Sequence, residues 1–188
     1  AGITCGSKPS ERTPLAALRR CEIFLEAELP AGVVNVTCGV GAIAGDTLSR
    51  HTKIQKVSFT GSTAVGKIIQ KAAADNLKVC TLECGGKSPL VIYDDADLDQ
   101  AVKWAAFGIF FNKGEICTAS SRIYVQDTIY DEFLAKYKDH VESNYKQGDQ
   151  WTEGVNVGPT VSKGQQEKIL GYIKSGIEEG AKLITGGK

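Results

Sequence analysis

Apolar residues recur along this chain in two rhythms. The helical one is clearest in GSTAVGKIIQKAAADN, where Val65, Ile68, Ile69, Ala72 and Ala73 fall at i, i+3, i+4, i+7 and i+8, so that one face packs and the other meets water. TPLAALRRCEIFLEAEL opens with Thr13 as a capping residue and Pro14 at the first helical position. It then carries Leu15, Leu18, Cys21, Leu25 and Leu29 along one stripe. A third helix is predicted from Asp97 to about Phe110, through Leu98, Ala101, Val102, Ala105 and Ile109, and two more over 128–146 and 163–179. Between them lie short runs rich in β-branched residues, at 33–38, 56–60, 79–83, 89–93, 122–126 and 181–185, which read as strands. Most are apolar without alternation, which suits parallel strands covered on both faces by helices. The expected class is α/β. No repeat or linker interrupts the rhythm, so the Gly85-Gly86 pair is the one place for a boundary, giving segments 1–84 and 85–188.

Composition narrows the function classes. With 42% apolar and 23% charged residues, the chain lies in the globular range, which excludes disorder. Lys plus Arg number 22, equal to Asp plus Glu, so no net field favours nucleic acid or an anionic membrane, and any partner must be recognised by a local site. The longest apolar stretch, Trp104 to Phe111, is far shorter than the roughly 20 residues of a membrane-spanning helix, so a soluble protein is expected. Six cysteines, at 5, 21, 38, 80, 84 and 117, lack metal-binding spacing, the usage of a reducing compartment, and no metal is expected. The first residues carry neither a basic leader nor an apolar secretory core, and the chain contains no Met. It is therefore expected to be an internal piece of a longer protein.

Two glycine-rich turns follow predicted strands. GVGAIAG places Gly39, Gly41 and Gly45 where the backbone can approach a phosphate, although GxGxxxG is one residue longer than the usual dinucleotide fingerprint. A tight turn without a ligand is the plainer reading. GSTAVGK, with Gly61, Ser62 and Gly66, has the spacing of a phosphate-binding loop, but Ile68 stands where an NTPase needs Ser or Thr for Mg²⁺, so an NTPase is excluded. A helix start with Ser62, Thr63 and free backbone NH groups remains, which is an anion seat. Taken singly, Lys8 and Glu11 of KPSE read as surface charges able to hydrogen-bond neighbouring sugar hydroxyls. Glu83 ends an apolar strand before two glycines. Partial desolvation there would raise its pKa toward that of a general base, while a carboxylate capping the next turn fits equally well. Cys117 follows a glycine and a short polar break among small residues, the setting of a reachable thiolate nucleophile. Cys5, Cys21, Cys38, Cys80 and Cys84 lie within regular patterns and read as packing residues.

Taken together, KPSE, GVGAIAG, FTGSTAVG, LECGGKSP and FNKGEICTA, in that order and with 34 residues from acid to thiol, resemble the aldehyde dehydrogenase superfamily over essentially the whole chain. The resemblance implies a partial parallel-sheet, Rossmann-like cofactor domain over 1–84 and part of an α/β catalytic domain over 85–188. It implies that Lys8 and Glu11 hold the adenosine ribose of NAD, in preference to NADP, whose 2′-phosphate would meet the Glu11 charge. Gly61 and Ser62 begin the stretch along the pyrophosphate, and Gly41, Gly45, Gly66 and Cys84 complete the implied cofactor set. Cys117 corresponds to the catalytic nucleophile and Glu83 to the general base. The family's oxyanion-hole asparagine and nicotinamide-ribose acid fall outside these residues, so the isolated piece is expected to have negligible activity.

Some positions depart from the family pattern. TCGS precedes KPSE where an apolar strand is usual, so Gly6 and Ser7 are expected to weaken that strand, and Glu28 stands where glycine commonly ends the helix. The expected partner is a small-molecule aldehyde, the full-length chain is expected to be a homo-oligomer, and the expected location is the cytoplasm, with the mitochondrial matrix as the alternative. The competing readings are a degenerate homologue that keeps the fold without turnover, and a cysteine-dependent acyl transferase or thioesterase without redox chemistry.

Overall fold

The computed structural model describes residues 2–187, with the element order of an α/β protein. The chain forms two compact units, residues 1–84 and 85–188. Among the described residues three strand pairs form, all parallel.

In the first unit, β1 (Cys5–Ser7) pairs with β2 (Val34–Val36), and α1 (Leu15–Glu26) connects them. Gly6 and Ser7 therefore do not prevent a strand, which forms over three residues. After β2 the chain enters a π-helical turn, Gly41–Gly45, continued by α2 (Asp46–Arg50). β3 (Lys56–Gly61) then pairs with β4 (Val79–Cys84) from Lys56 opposite Val79 to Gly61 opposite Cys84, with α3 (Thr63–Ala74) between them. A dozen or more residues, usually helical, must join parallel strands, and both pairs use such a crossover.

In the second unit, β5 (Pro89–Ile92) pairs with β6 (Arg122–Val125), joined through α4 (Leu98–Phe110) and the loop 111–121. Next come α5 (Tyr130–Asn144) and α6 (Lys163–Glu178). Asp97 and Ser162 cap α4 and α6 by accepting from the NH groups of Gln100 and Gln165. The core sits here: Ile92, Val102, Ala105 and Phe133 are buried, with Leu98, Ala101, Ile123 and Tyr137 packed around them. The α4 stripe expected from periodicity is this core face.

The structure departs from the sequence pattern in several places. α1 starts at Leu15, with Pro14 at the cap in helical dihedrals and no side-chain cap, so Thr13 does not serve. Its half-buried face is Ala17, Cys21 and Phe24, while Leu15, Leu18 and Leu25 are exposed. In α3 the buried positions are Gly66, Ala72 and Ala73, and Val65 and Ile68 stay exposed, because the helix approaches β4 through its glycine. Exposure alternates along β3, β5 and β6, so these strands are not covered on both faces among the described residues. Cys38 lies beyond β2 and is exposed, as is Cys5, so neither is a packing residue. Segment 181–185 is not a strand. A strand exists only through a ladder, and this segment instead runs along α5, where Lys182, Leu183 and Ile184 face Asp131, Leu134 and Lys138, and the Thr185 hydroxyl donates to Glu142 at 2.7 Å. Among the described residues no helix is long and apolar enough to cross a membrane, and no group of His, Cys, Asp and Glu has the arrangement of a metal site.

Candidate active site

Residues far apart in sequence meet at the start of the crossover after β2. The Lys8 ammonium donates to the carbonyl of Pro9 at 2.7 Å and to that of Gly39 at 3.1 Å, and it faces the Glu11 carboxylate at 3.7 Å. A methyl built on Gly45 would stand 3.7 Å from the Lys8 chain, an ordinary van der Waals contact, so this position lies against the lysine stem. Hydrogen bonding to its own backbone NH, the Lys8 charge and the Gly41 NH together hold the Glu11 carboxyl below its ordinary range, so it stays ionised in mild acid. Lys8, Glu11, Gly41 and Gly45 thus gather at one place. What they present is an ammonium with a spare donor beside an acceptor-only carboxylate, a pair matched to a vicinal diol that both donates and accepts.

A second group lies on β3, α3 and β4 of the same unit. The Ser62 hydroxyl caps α3 by accepting from the Val65 NH at 3.3 Å, and the Gly66 NH donates to the Ser62 carbonyl. The other NH groups of the first turn have no partner within the helix. Gly66 is buried against β4, where an added methyl would lie 3.1 Å from the Cys84 sulfur and 3.7 Å from Leu82. Cys84 therefore lies under the first turn of α3. Because Leu82 and Cys84 face α3, strand alternation turns Glu83 to the opposite face of β4. Its side chain is exposed and makes no ion pair among the described residues, so the partial desolvation expected at this position is not present in this chain. Gly61 approaches the Phe59 ring so closely that an added methyl would meet it at 2.5 Å.

Cys117 belongs to the second unit, in the loop between α4 and β6, and its thiol is exposed. Three consecutive residues before it are left-handed: Asn112 (φ 49°), Lys113 (φ 60°) and Gly114 (φ 72°). Such conformations are costly for residues with a side chain and persist only when neighbours fix them. Here the Glu115 NH donates to the Asn112 carbonyl at 3.0 Å, the Asn112 amide donates to the Glu115 carbonyl at 3.3 Å, and Lys113 pairs with Glu115 at 3.3 Å. Beyond the thiol, Ala119 is buried and the Ser120 NH donates to the Gly108 carbonyl at 2.9 Å. At Gly108 a methyl would stand 2.9 Å from the Ser120 hydroxyl, so the glycine lets the loop cross α4. Gly86 lies against the backbone of Cys117, with an added methyl 3.9 Å from the Cys117 carbonyl oxygen.

Sequence reasoning overlooked two supports, Gly108 and Ser120, and read a third, Gly39, only as a turn or phosphate-approaching glycine. Gly39 accepts from Lys8 and has no space for a side chain, since a methyl there would meet the Ala44 methyl at 2.8 Å. Gly108 and Ser120 anchor the thiol loop. A glycine inside a strong helical stripe, as Gly108 is in α4, was the available signal for a close crossing. Glu83 and Cys117 fall in different units.

Comparison with known proteins agrees with this geometry. The sequence model of the aldehyde dehydrogenase family matches residues 1–188. The chain is 50% identical over 190 residues to cytosolic aldehyde dehydrogenase 1 of Mus musculus, a match that takes in 98% of this chain and 38% of the mouse protein. It is 48% identical over 188 residues to the mitochondrial aldehyde dehydrogenase of Leishmania tarentolae, covering 100% of this chain and 38% of that protein. Among solved structures, betaine aldehyde dehydrogenase from Staphylococcus aureus in complex with NAD+ superposes with a TM-score of 0.93 at 40% identity, over 100% of this chain and 37% of the other. The chain thus spans 36 to 38% of the length of the relatives it matches. On the family match and these identities, the chain belongs to the aldehyde dehydrogenase family.

Proposed function

We propose that the protein containing this chain oxidises an aldehyde to the carboxylic acid with NAD as hydride acceptor. Residues 1–84 form the partial cofactor domain in this reading and residues 85–188 part of the catalytic domain. The observation that carries it is the assembly of Lys8, Glu11, Gly41 and Gly45 at one helix start, in a member of this family whose loop 111–121 exposes Cys117.

The donor set fits the cofactor. Glu11 would accept from one ribose hydroxyl and Lys8 would donate to its neighbour, while Gly61 and Ser62 at the start of α3 would hold the pyrophosphate. An ionised Glu11 repels a 2′-phosphate, which favours NAD over NADP. When bound, NAD supplies the hydride acceptor. The Cys117 thiolate attacks the aldehyde carbon, and its backbone NH holds the oxyanion of the tetrahedral thiohemiacetal. Loss of hydride leaves a thioester on Cys117. Glu83 then takes a proton from water, whose oxygen displaces the thiolate and releases the acid. Gly66 and Cys84, which meet where α3 lies on β4, are the remaining residues of the cofactor set. The solved relative in complex with NAD+ supports the choice of cofactor. The cytoplasm is the proposed location, with the mitochondrial matrix as the alternative, in line with the names of the mouse and Leishmania relatives.

The test uses the chain continued to the length of its relatives. Mixed with NAD and a simple aldehyde, it should give a rapid burst of NADH that Cys117→Ala abolishes. With Glu83→Gln the burst should survive while thioester hydrolysis slows. Acyl transfer without any nicotinamide requirement would overturn the dehydrogenase reading in favour of a thioesterase. Unchanged hydrolysis in Glu83→Gln would remove that residue from the base role.

A further inference from the structure

One buried charge in the first unit has no part in the chemistry above. Lys78 is 7% exposed and makes no ion pair among the described residues. Its ammonium donates to the carbonyl of Ser49 at 2.6 Å and to that of His51 at 2.9 Å. These carbonyls close the C-terminal end of α2, where a cation is favoured by the helix dipole, and the His51 carbonyl also accepts from the Ile54 NH at 3.1 Å. Ser49 is itself buried, and its hydroxyl donates to the Asp46 carbonyl. The same end is tied down twice more. Asn76 donates to the Thr52 carbonyl at 3.0 Å, and the Val79 NH donates to that of Gln55 at 2.9 Å.

The helix so anchored is the one that begins at Gly41, since the π-helical turn 41–45 runs into α2 without a break. Its first turn lies against Lys8, through Gly45 and the Gly39 carbonyl. One short rod therefore has a lysine at each end, Lys8 near the proposed ribose pair and Lys78 at the far end, roughly 12 Å along the axis. A rod held at one end only can tilt, and tilt carries Gly41 and Gly45 away from Lys8 and Glu11.

We propose that Lys78 is a positioning residue for the cofactor: by fixing the C-terminal end of the Gly41–Arg50 helix to the start of β4, it holds the Lys8–Glu11 pair in the arrangement that binds the adenosine ribose. This inference rests on the NAD reading above. The partners of Lys78, Ser49 and His51, belong to the first unit, so loss of Lys78 should act on nucleotide affinity and leave Cys117 reactivity unchanged.

The experiment measures NAD dissociation constants by calorimetry, together with the alkylation rate of Cys117 by iodoacetamide, in the full-length protein. Removing the clamp leaves the binding arrangement populated only part of the time, so Lys78→Met should weaken NAD binding about tenfold. Lys78→Arg keeps a charged donor and should restore affinity to within about threefold. Thiol alkylation should be unchanged in both. If Lys78→Met does not fold, Lys78→Gln, which keeps one donor group, should give a smaller loss in the same direction. As a control, Phe133→Leu lowers stability through the core of the second unit and should leave NAD affinity unchanged. A folded Lys78→Met or Lys78→Gln with NAD affinity equal to the unsubstituted protein overturns the inference, and so does an equal loss in Phe133→Leu. An unsubstituted protein that binds no NAD would instead overturn the dehydrogenase reading and this inference with it.

Discussion

The two units are held together by different chemistry. The second has an apolar core of Ile92, Val102, Ala105 and Phe133, built where α4 and α5 cover the β5–β6 pair. In the first, the buried residues are small or polar: Gly66, Ala72, Ala73, Ser49 and Lys78. Its fixed points are hydrogen bonds, with Lys8 on Gly39 at one end of a helix and Lys78 on Ser49 and His51 at the other. Apolar burial is non-directional and tolerates small shifts, whereas a hydrogen bond is lost within a few tenths of an ångström. In the proposed reading, a half that presents polar groups to a nucleotide gains positional accuracy from such ties. A half that must support a strained loop gains it from a packed platform.

The largest expected effect tests that platform. Phe133 is 4% exposed and stacks on Tyr137 with ring centroids 5.3 Å apart. Phe133→Ala should cost about 3–5 kcal/mol through lost burial and the cavity left behind. Amide exchange should accelerate in β5, α4 and β6 and stay slow in α3 and β4. An equal loss of protection in both units would show that they unfold as one, and the contrast drawn above would end.

The next effect belongs to the first unit. Gly39→Ala forces a methyl to within 2.8 Å of the Ala44 methyl and shifts the carbonyl that accepts from Lys8. Overpacking of this kind costs about 1–3 kcal/mol. The loss should appear both in stability and in NAD affinity of the full-length protein. A stable variant with weaker NAD binding would sharpen the view that the ties here serve placement more than folding.

What was legible in the sequence divides along the same line. The α4 stripe predicted the core because its apolar residues are numerous and a strand pair lies directly beneath them. The leucines of α1, and Val65 and Ile68 of α3, predicted faces that the structure leaves exposed, because small residues (Ala17 and Cys21, Gly66 and Ala73) set the closest approach of helix to strand. Periodicity weighs apolarity and is blind to that. Lys8 and Glu11 read singly as surface charges, and only the fold brings Gly39, Gly41 and Gly45, some 30 residues on, to their side. Lys78 gave no signal at all, since a lone lysine before a strand is ordinarily solvated.

A narrower contrast concerns pH. Burial, with a smaller contribution from Tyr145, pushes the Tyr137 hydroxyl up from 10.0 to about 12. An unfolded chain loses this proton near 10 while the folded unit keeps it, so stability is full below 10 and falls as pH rises from 10 to about 12. Tyr137→Phe should remove that fall, seen as a smaller change in urea midpoint between about pH 9 and about pH 11.5. An unchanged alkaline loss would mean that another group carries it.

The smallest expected effect lies in how helices end. α1, α3 and α6 close with the same pair of hydrogen bonds. In α1 these run from Glu28 to Leu25 and from Leu29 to Phe24, in α3 from Leu77 to Ala74 and from Lys78 to Ala73, and in α6 from Gly180 to Ile177 and from Ala181 to Gly176. The motif requires a left-handed residue, which is Gly180 at φ 93° in the second unit but Glu28 at φ 56° and Leu77 at φ 55° in the first. A residue with a side chain bears roughly 1–2 kcal/mol in this conformation, and the greater freedom of glycine in the unfolded chain returns part of any gain from replacing it. Glu28→Gly should therefore stabilise the first unit by about 0.5–1 kcal/mol, and Gly180→Ala should destabilise the second by about 1 kcal/mol. Urea midpoints moving in opposite directions would confirm that both units use one closing geometry with unequal strain. Movement in the same direction would show that contacts of the Glu28 side chain, and not its φ angle, decide the sign.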